Sequence, residues 1–447
     1  MFQNAFFFGK KLYLCRRKMR KYAKIFCKMI IRRDFYLNQL IGAQHNGMVK
    51  VVTGIRRCGK SFLLFNLFRH YLDEQGVAAD HIVEMDFEDY ENKRYRAPDE
   101  FYRYAKSRIT DDGQYYFLLD EVQRLGEFED VLNGFLRRPN VELYVTGSNA
   151  KFLSKDIITE FSGRGYQIHM QPLCYAEFMS CYDGAREKGL EDYLNFGGIP
   201  QVVLSPTVEE KTKLLKQLLD ETYISDILNR NNVKNTAELD DLFNILASNI
   251  GALTNPQKLS DTFRSVLNIA ISAATVKNYI DFFCDSFLLE RVNRYDVKGR
   301  KYIGTPQKYY FTDLGLRNAR LDFRQLEMPH LMENAIYNEL RRRGFSVDVG
   351  VVTANGKDAQ GRSVRSQLEV DFVCNKGSKR YYIQSALNLD TPEKQEQEFR
   401  SLRKIDDNFK KIVIVGSPAI THQNSRGIGI INIFDFLLDD ESLRLFS

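Results

Sequence analysis

Short apolar runs alternate with helical patterns along the chain from about residue 29 to residue 170. The predicted strands lie at 48–52, 83–87, 115–121 and 141–149, and helical patterns follow at 61–68 and 100–108. Apolar runs of this length separated by helices are typical of a parallel sheet that is covered on both faces. We therefore predict an α/β fold for residues 29–170.

The pattern changes three times after Pro172. Residues 171–235 are dominated by helical periodicity, with a Gly-Gly-Ile-Pro tract at 197–200 that predicts a tight turn, and we call this region the helical lid. Residues 236–322 combine two capped helices with two short strands, which is the outline of a winged helix. Residues 323–447 return to an α/β pattern. The chain is thus expected to contain several domains.

The segment between the first apolar run and the first helix matches G-x-x-x-x-G-K-[ST]. It consists of Gly54, Ile55, Arg56, Arg57, Cys58, Gly59, Lys60 and Ser61, and Phe62 follows. Glycines at both ends let backbone N–H groups converge on phosphate oxygens, and the helix N-terminus adds a positive field. We expect Lys60 to contact the β- and γ-phosphates of a nucleotide and Ser61 to bind Mg²⁺. The alternative is a glycine turn before an ordinary helix.

Two further strand ends carry polar side chains that suit a phosphate loop. The predicted strand at 115–121 ends in Asp120 and Glu121, which we expect to orient the Mg²⁺ ligands and to polarise the attacking water. The next run ends in Ser148 and Asn149, either of which would contact the γ-phosphate or the water. For those two residues a simple Gly-Ser-Asn turn is the alternative. The acid pair and the loop together indicate ATP hydrolysis.

Arg164, in a Ser-Gly-Arg-Gly segment, is a candidate arginine finger that would act on the nucleotide of a neighbouring subunit. Such a role predicts a homo-oligomer. A solvated surface arginine is the competing interpretation.

Composition excludes some classes of protein. The 447 residues include no apolar run long enough to cross a bilayer, so we expect no membrane insertion. The seven cysteines form no Cys-x-x-Cys pair, which fits a reducing cytoplasm. Of the formal charge of +6, residues 1–28 carry +9 without any acid, which leaves −3 on the remainder. This basic leader is interpreted as a nucleic-acid arm, a membrane-surface helix, a targeting peptide or sequence upstream of a start at Met29.

The winged-helix outline raises the question of DNA binding. Thr275, Lys277 and Asn278 would lie on the helix that faces a groove. Residues 251–300 contain seven Lys or Arg against five Asp or Glu, which is a weak excess for binding a polyanion. A protein-docking role and a purely structural role therefore remain open beside DNA binding.

The C-terminal part contains the outline of a nuclease site. Nucleases of the PD-(D/E)XK type place an acid on a helix, an aspartate on one strand and acid-x-Lys on the next. Glu333 and Asp371 match the first two positions, whereas Gln384 and Ala386 occupy the positions of the acid and the lysine. We predict a nuclease-like fold that has lost catalysis.

The motifs as a set resemble a family of prokaryotic AAA-type ATPases. They are the phosphate loop, Leu-Asp-Glu-Val-Gln at 119–123, Thr-Gly-Ser-Asn at 146–149, Ser-Gly-Arg at 162–164, Gly-Gly-Ile-Pro at 197–200 and Leu-Glu-Val-Asp-Phe at 368–372. Members of that family join an ATPase core to a winged-helix segment and a C-terminal domain related to PD-(D/E)XK nucleases. The resemblance implies a cytoplasmic ATPase in which Lys60 and Ser61 bind nucleotide and Mg²⁺.

We accordingly predict a Mg²⁺-dependent ATPase that converts nucleotide state into domain rearrangement, with DNA or a protein as the candidate partner. The alternatives are a metal-dependent nuclease regulated by ATP and an ATP-gated DNA-binding regulator.

Overall fold

The structure is a computed structural model that describes residues 31–148, 163–357, 363–416 and 420–446. The basic leader and Asn149 lie outside these residues. Two β-sheets organise the described chain, one of five strands and one of eight. The helical lid lies between them in sequence.

The first sheet is parallel throughout, as predicted. Its strands are β1 (Val49–Thr53), β2 (Ile82–Asp86), β3 (Tyr115–Asp120), β4 (Val141–Gly147) and β5 (Gly165–His169). The spatial order is β2-β3-β4-β1-β5. Strand β4 therefore lies between the strands that carry the phosphate loop and the acid pair. Every residue of β1, β3 and β4 is buried, which explains why these segments are nearly continuous apolar runs.

Helices cover both faces of this sheet. They are α1 (Asp34–Gly42), α2 (Lys60–Phe62), which continues through a π-helical segment (Leu63–Phe68) into α3 (Arg69–Glu74), α4 (Pro98–Ser107) and α5 (Phe128–Leu136). Alternate residues of each strand point to opposite faces. Leu118 joins the core that contains Phe68, whereas Phe117 and Leu119 join the core that contains Phe101. The predicted two-faced arrangement is confirmed.

The helical lid is helical as predicted. It contains α6 (Tyr175–Met179), α7 (Arg186–Phe196), α8 (Pro200–Val203), α9 (Val208–Gln217), a π-helical segment (Leu218–Ile224) and α10 (Ser225–Asn231). Gly197, with φ of 73°, ends α7, and Pro200 begins α8. A Cβ on Gly198 would lie 2.2 Å from the carbonyl oxygen of Leu173. The turn therefore requires glycine at this position because the backbone approaches so closely.

The elements that suggested a winged helix are present. They are α11 (Thr236–Ser248), α12 (Pro256–Thr262), extended by a π-helical segment (Phe263–Leu267), α13 (Ala273–Asp285), β6 (Leu289–Asp296) and β7 (Lys301–Phe311). Strands β6 and β7 form an antiparallel hairpin, and β6 also pairs in parallel with a strand of the C-terminal part. One sheet thus includes residues on both sides of the boundary at 322. The winged-helix assignment itself stays a prediction.

The C-terminal part is α/β, as expected. Its elements are α14 (Leu314–Arg320), α15 (Met328–Arg342), β8 (Ser346–Lys357), β9 (Ser363–Lys376), β10 (Lys379–Ala386), α16 (Pro392–Arg403), β11 (Lys410–Val415), β12 (His422–Gln423), β13 (Gly429–Asn432) and α17 (Ile433–Leu438). The second sheet has the order β12-β13-β11-β10-β9-β8-β6-β7. Within the described ranges, no helix has both the length and the apolar character to cross a membrane.

Candidate nucleotide-binding site

The phosphate loop connects the end of β1 to the start of α2. Gly54 and Gly59 have φ of 146° and 104°, and a Cβ on Gly54 would lie 2.1 Å from the carbonyl oxygen of Met170. Both glycines are therefore required by the backbone. The Nζ atom of Lys60 donates hydrogen bonds to the carbonyl oxygens of Gly54 at 3.0 Å and Ile55 at 3.2 Å. The ammonium group consequently lies inside the turn of the loop.

A buried arginine supports the loop from behind. The guanidinium group of Arg33 donates to the carbonyl oxygen of Cys58 at 2.9 Å and to that of Gln171 at 2.6 Å, and it pairs with Glu177 at 3.0 Å. The side chain of Cys58 is fully buried, with its sulfur 3.5 Å from the carbonyl oxygen of Met170. Arg33 thus ties the loop to the first residues of the helical lid. Sequence reasoning missed Arg33 because it precedes α1 outside any motif.

The two residues predicted to bind metal are in direct contact. The hydroxyl of Ser61 donates to Oδ2 of Asp120 at 2.7 Å, and the hydroxyl of Thr146 donates to Oδ1. Asp120 is 4% exposed, and burial raises its pKa to about 6. Hydroxyl and carboxylate oxygens are the ligands that Mg²⁺ prefers, so this pair fits the predicted ion. The metal role itself stays a prediction.

Glu121 follows Asp120 in a left-handed backbone conformation, with φ of 49°. Its backbone N–H donates to the hydroxyl of Thr146 at 3.0 Å. Its carboxylate accepts hydrogen bonds from Ser148 at 3.0 Å and from the side-chain amide of Gln123. Thr146 therefore orients both acids, and sequence reasoning passed over it in favour of Ser148 and Asn149. The available signal was a hydroxyl inside an otherwise apolar strand next to the acid pair.

A cavity of about 510 Å³ opens between the loop and the helical lid. It is lined by Arg56, Arg57, Gly59, Lys60, Ser61, Phe62, Glu88, Asp120, Glu121, Pro200 and Gln201. The structure thus brings most of the predicted loop residues together with the acid pair. Three loop residues, Gly54, Ile55 and Cys58, shape the loop but do not line the cavity. The side chains of Ile55 and Cys58 are fully buried.

Arg56 links the loop to its surroundings. Its guanidinium group pairs with Glu88 at 3.0 Å and with Asp226 of the helical lid at 3.8 Å. Its carbonyl oxygen accepts a hydrogen bond from the hydroxyl of Tyr223 at 2.6 Å, and Arg124 pairs with Glu88 at 2.9 Å. None of these partners was anticipated from the sequence, because Glu88 and Arg124 belong to no motif and the helical pattern of the lid does not indicate that Tyr223 and Asp226 face the loop.

Arg164 lies away from this cavity. Its side chain is exposed, and its carbonyl oxygen accepts a hydrogen bond from the N–H of Val49 at 2.8 Å, at the start of β1. The phosphate loop follows the other end of β1, and a strand of five residues spans about 16 Å. Arg164 is therefore remote from the cavity of its own chain, and its role as an arginine finger stays a prediction that needs a second copy.

The acids that suggested a nuclease site form a second buried cluster. Lys308 of β7 pairs with Glu333 at 2.8 Å and with Glu369 at 2.7 Å. Burial lowers the pKa of Lys308, but the carboxylates of Glu333, Asp371 and Glu369 outweigh burial and raise it. Asp371 accepts a hydrogen bond from the N–H of Ser385 at 2.8 Å, and burial followed by the charge of Glu333 raises its pKa well above the usual range.

This acid cluster, defined as Glu333, Glu369 and Asp371, contains its own cation. We expected a missing lysine because Ala386 occupies the acid-x-Lys position, yet the ammonium group of Lys308 lies among the carboxylates. The parts of the chain that the structure describes hold no group of three or more His, Cys, Asp or Glu placed to bind a metal ion. Loss of nuclease catalysis stays a prediction.

Comparisons with known proteins support the nucleotide-binding part. An AAA domain matches residues 46–179, which include the loop and the acid pair, and a domain of unknown function (DUF8612) matches residues 187–327. Neither match links residues 323–447 to nucleases.

Two relatives and two solved structures are similar to the chain. An uncharacterized protein of Haemophilus influenzae is 33% identical over 417 residues, which cover 92% of this chain and 99% of that protein. An uncharacterized protein of Methanocaldococcus jannaschii is 28% identical over 403 residues, covering 87% and 85%. A Walker-type ATPase of Pyrococcus abyssi has a TM-score of 0.47 at 15% identity over 65% of this chain and 96% of that chain. The Orc1 protein of Aeropyrum pernix, solved in complex with DNA, has a TM-score of 0.31 at 12% identity over 65% and 92%.

Both TM-scores are below 0.5, so the fold assignment depends on the strand order and the domain match. The AAA match confirms the coarse part of the resemblance stated above, whereas the winged-helix and nuclease-like parts stay predictions. The chain belongs to the family of the uncharacterized Haemophilus influenzae protein and carries an AAA-type P-loop domain.

Proposed function

We propose that this chain is a Mg²⁺-dependent ATPase that uses nucleotide state to rearrange its helical lid and the parts beyond it. The observation that carries the proposal is the 2.7 Å contact between Ser61 and Asp120. Lys60 precedes the first of these residues and Glu121 follows the second, so four groups with complementary roles border one cavity. A structural turn would have no need of this combination.

Each side chain has a distinct role in the proposed reaction. Lys60 and the loop amides bind the β- and γ-phosphates of ATP, while Ser61 and Asp120 hold Mg²⁺, which supplies charge neutralisation on the phosphate oxygens. Glu121 orients the attacking water and is itself held by Ser148. Catalysis of phosphoryl transfer consists mainly of such positioning and electrostatic stabilisation.

The helical lid is the element through which nucleotide state would act. Pro200 and Gln201 border the cavity, and two residues earlier the N–H of Gly198 donates to Asp313 at 2.7 Å. Asp313 is the N-cap of α14, and burial raises its pKa to about 6. A shift of the turn at Gly198 would therefore be passed directly to residues beyond the helical lid.

The remaining elements of the proposal concern partners and location. An arginine finger supplied by Arg164 of a second copy would accelerate turnover by about 10³-fold or more, so the isolated chain should hydrolyse ATP slowly. DNA or a protein is the partner on which the rearrangement acts. The cytoplasm is the proposed location, because the cysteines lack disulfide spacing.

The first experiment separates binding from turnover. We expect Lys60→Ala to abolish binding of a fluorescent ATP analogue, and Glu121→Gln to retain binding while phosphate release stops. Lys106→Ala, which removes an exposed lysine of α4, is the matched control and should behave as the parent. Equal affinity for the analogue in Lys60→Ala and the parent chain would refute the proposal.

The second experiment addresses shared active sites. Arg164→Ala and Glu121→Gln should each be inactive alone, whereas their mixture should recover activity. In a mixed assembly the intact arginine of one variant reaches the intact acid of the other. Turnover per chain should also rise steeply with protein concentration. A rate independent of concentration, together with parental activity of Arg164→Ala, would exclude the finger.

A further inference from the structure

A basic cleft of about 700 Å³ lies at one end of the second sheet. Three segments form it: the β6–β7 turn, the β9–β10 turn and the connection between α16 and β11. It is lined by Tyr295, Val297, Lys298, Arg300, Asn375, Gly377, Ser378, Lys379, Arg380, Ile405, Asp406, Asp407 and Phe409.

Positive charge is concentrated at this cleft and is not a property of the chain as a whole. The residues that line the cleft include four Lys or Arg, namely Lys298, Arg300, Lys379 and Arg380, and two Asp. Residues 29–447 as a whole carry a formal charge of −3, so a lining with a net charge of +2 is opposite in sign to the rest of this part of the chain. Convergence of like charges at one place is unfavourable for the isolated chain and is the electrostatic footprint of an anionic partner.

Most of these cations are available. Lys298, Arg300 and Lys379 are exposed and form no ion pair with another described residue. The carboxylate of Asp407, by contrast, is used internally, since it accepts hydrogen bonds from the hydroxyl of Tyr382 at 2.6 Å and from the N–H of Phe409 at 3.1 Å. Asp406 is the remaining acid of the lining.

Aromatic rings lie beside the cations. The guanidinium group of Arg380 lies 5.3 Å from the ring centroid of Tyr295 and 5.3 Å from that of Phe409, and its Nε donates to Asn375 at 2.7 Å. These contacts orient the ring of Phe409, which is 42% exposed. A large apolar ring exposed within a basic cleft offers a stacking surface.

We propose that the basic cleft binds a single-stranded nucleic acid. Lys298, Arg300 and Lys379 contact its phosphates, and Phe409 stacks on a base. A duplex keeps its bases inside the helix and would leave the ring unused. An acidic polypeptide would likewise pair with the lysines but gain little from the ring.

The cleft shares no residue with the nucleotide cavity. A variant can therefore lose the binding of single-stranded nucleic acid and keep ATP turnover, or the reverse. Lys60→Ala should bind the strand as the parent does. This partner assignment extends the proposed function without requiring that hydrolysis occur.

The test is fluorescence anisotropy with the full chain, no ATP, and a fluorescein-labelled oligothymidylate of about 12 nucleotides. The double variant Arg300→Gln/Lys379→Gln should bind at least about 10-fold more weakly and should lower the slope of log affinity against log salt by about 1.4. Phe409→Ala should weaken binding by about 5-fold or more, and Asp406→Asn should tighten it. The control Lys106→Gln/Lys234→Gln makes the same charge change at two exposed positions outside the cleft and should leave binding unchanged.

Several results would overturn the proposal. They are no binding by the parent, an equal loss in the control, parental affinity in the cleft variant, and tighter binding of a duplex of the same length. Displacement of the strand by polyglutamate at equal charge would indicate an acidic polypeptide instead. If Phe409→Ala lowers the melting temperature, Phe409→Leu, which keeps apolar volume without a ring, replaces it and should show the same loss.

Discussion

The acid pair at the end of β3 and the acid cluster of the second sheet both contain buried carboxylates, but different groups balance the charge of those carboxylates. Both contain a buried aspartate whose pKa is raised by burial, Asp120 in one and Asp371 in the other. The partners of Asp120 are the hydroxyls of Ser61 and Thr146. The acid cluster instead surrounds the ammonium group of Lys308.

This difference indicates which buried carboxylates can bind an external cation. Neutral hydroxyls leave the charge of Asp120 uncompensated beside an open cavity, so an external cation gains the full attraction. In the acid cluster an internal ammonium already supplies that attraction, and an incoming metal would have to displace it. Four experiments test this difference between the two sites and the role proposed for the first.

The largest effect is expected for Lys308→Met. Removing the ammonium leaves buried carboxylates facing each other, which should lower the free energy of unfolding by about 3–5 kcal/mol. Urea unfolding at neutral pH measures this loss, and adding Glu333→Gln to the variant should restore part of it. A loss below about 1 kcal/mol would show that the pair is weakly coupled.

The next effect concerns turnover. Asp120→Asn should reduce ATP hydrolysis by about 100-fold or more, because an amide holds Mg²⁺ less well than a carboxylate. Asp371→Asn is the matched control in the acid cluster, and its turnover should stay within about 2-fold of the parent. Phosphate release at saturating Mg²⁺ and ATP compares them. Equal losses in the two variants would contradict the assignment of the first site.

Stability against pH gives an intermediate effect. The pKa of Asp120 is raised from 3.8 to about 6 in the folded chain, so between these values the folded state binds the proton more tightly than the unfolded state. Without nucleotide, the unfolding free energy of the parent should therefore fall, relative to Asp120→Asn, as pH rises from 4 to 7, by about 2.4 kcal/mol. Parallel curves for the two chains would disprove the shift.

The smallest effect is expected at the contact between the loop and the helical lid. Asp226→Asn removes partly exposed ion pairs with Arg56 at 3.8 Å and with Arg230 at 2.8 Å, so stability should change by less than about 1 kcal/mol. The KM for ATP should nevertheless rise, because the helical lid is held less firmly over the cavity. Asp241→Asn, a change at a half-buried position on α11, is the control. An unchanged KM would show that this contact does not couple the helical lid to nucleotide binding.

Much of the first sheet could be predicted from the sequence. Strands β1, β3 and β4 lie within a residue or two of their apolar runs, because full burial on both faces leaves a continuous apolar signal. The contact of Ser61 with Asp120 follows from topology, since the carboxyl ends of parallel strands meet at one edge.

The contacts that the sequence did not predict join segments that are far apart along the chain. Lys308 lies 25 residues from Glu333 and reaches it because α15 packs on β7, where the side-chain amide of Asn334 exchanges hydrogen bonds with the backbone of Phe311. The nuclease motif, by contrast, places its lysine on β10. Arg33 lies 138 residues from Gln171 and belongs to no periodic pattern. Neither pairing leaves a local trace, because hydrogen-bond partners across elements are set by packing.

The burial of Cys58 has a practical consequence. Its thiol is fully enclosed between the loop and Met170, so a maleimide can reach the sulfur only while the loop is displaced. The alkylation rate of this one residue, followed by peptide mass spectrometry, therefore measures how often the loop opens. Slower labelling in the presence of ATP would report that the nucleotide holds it shut.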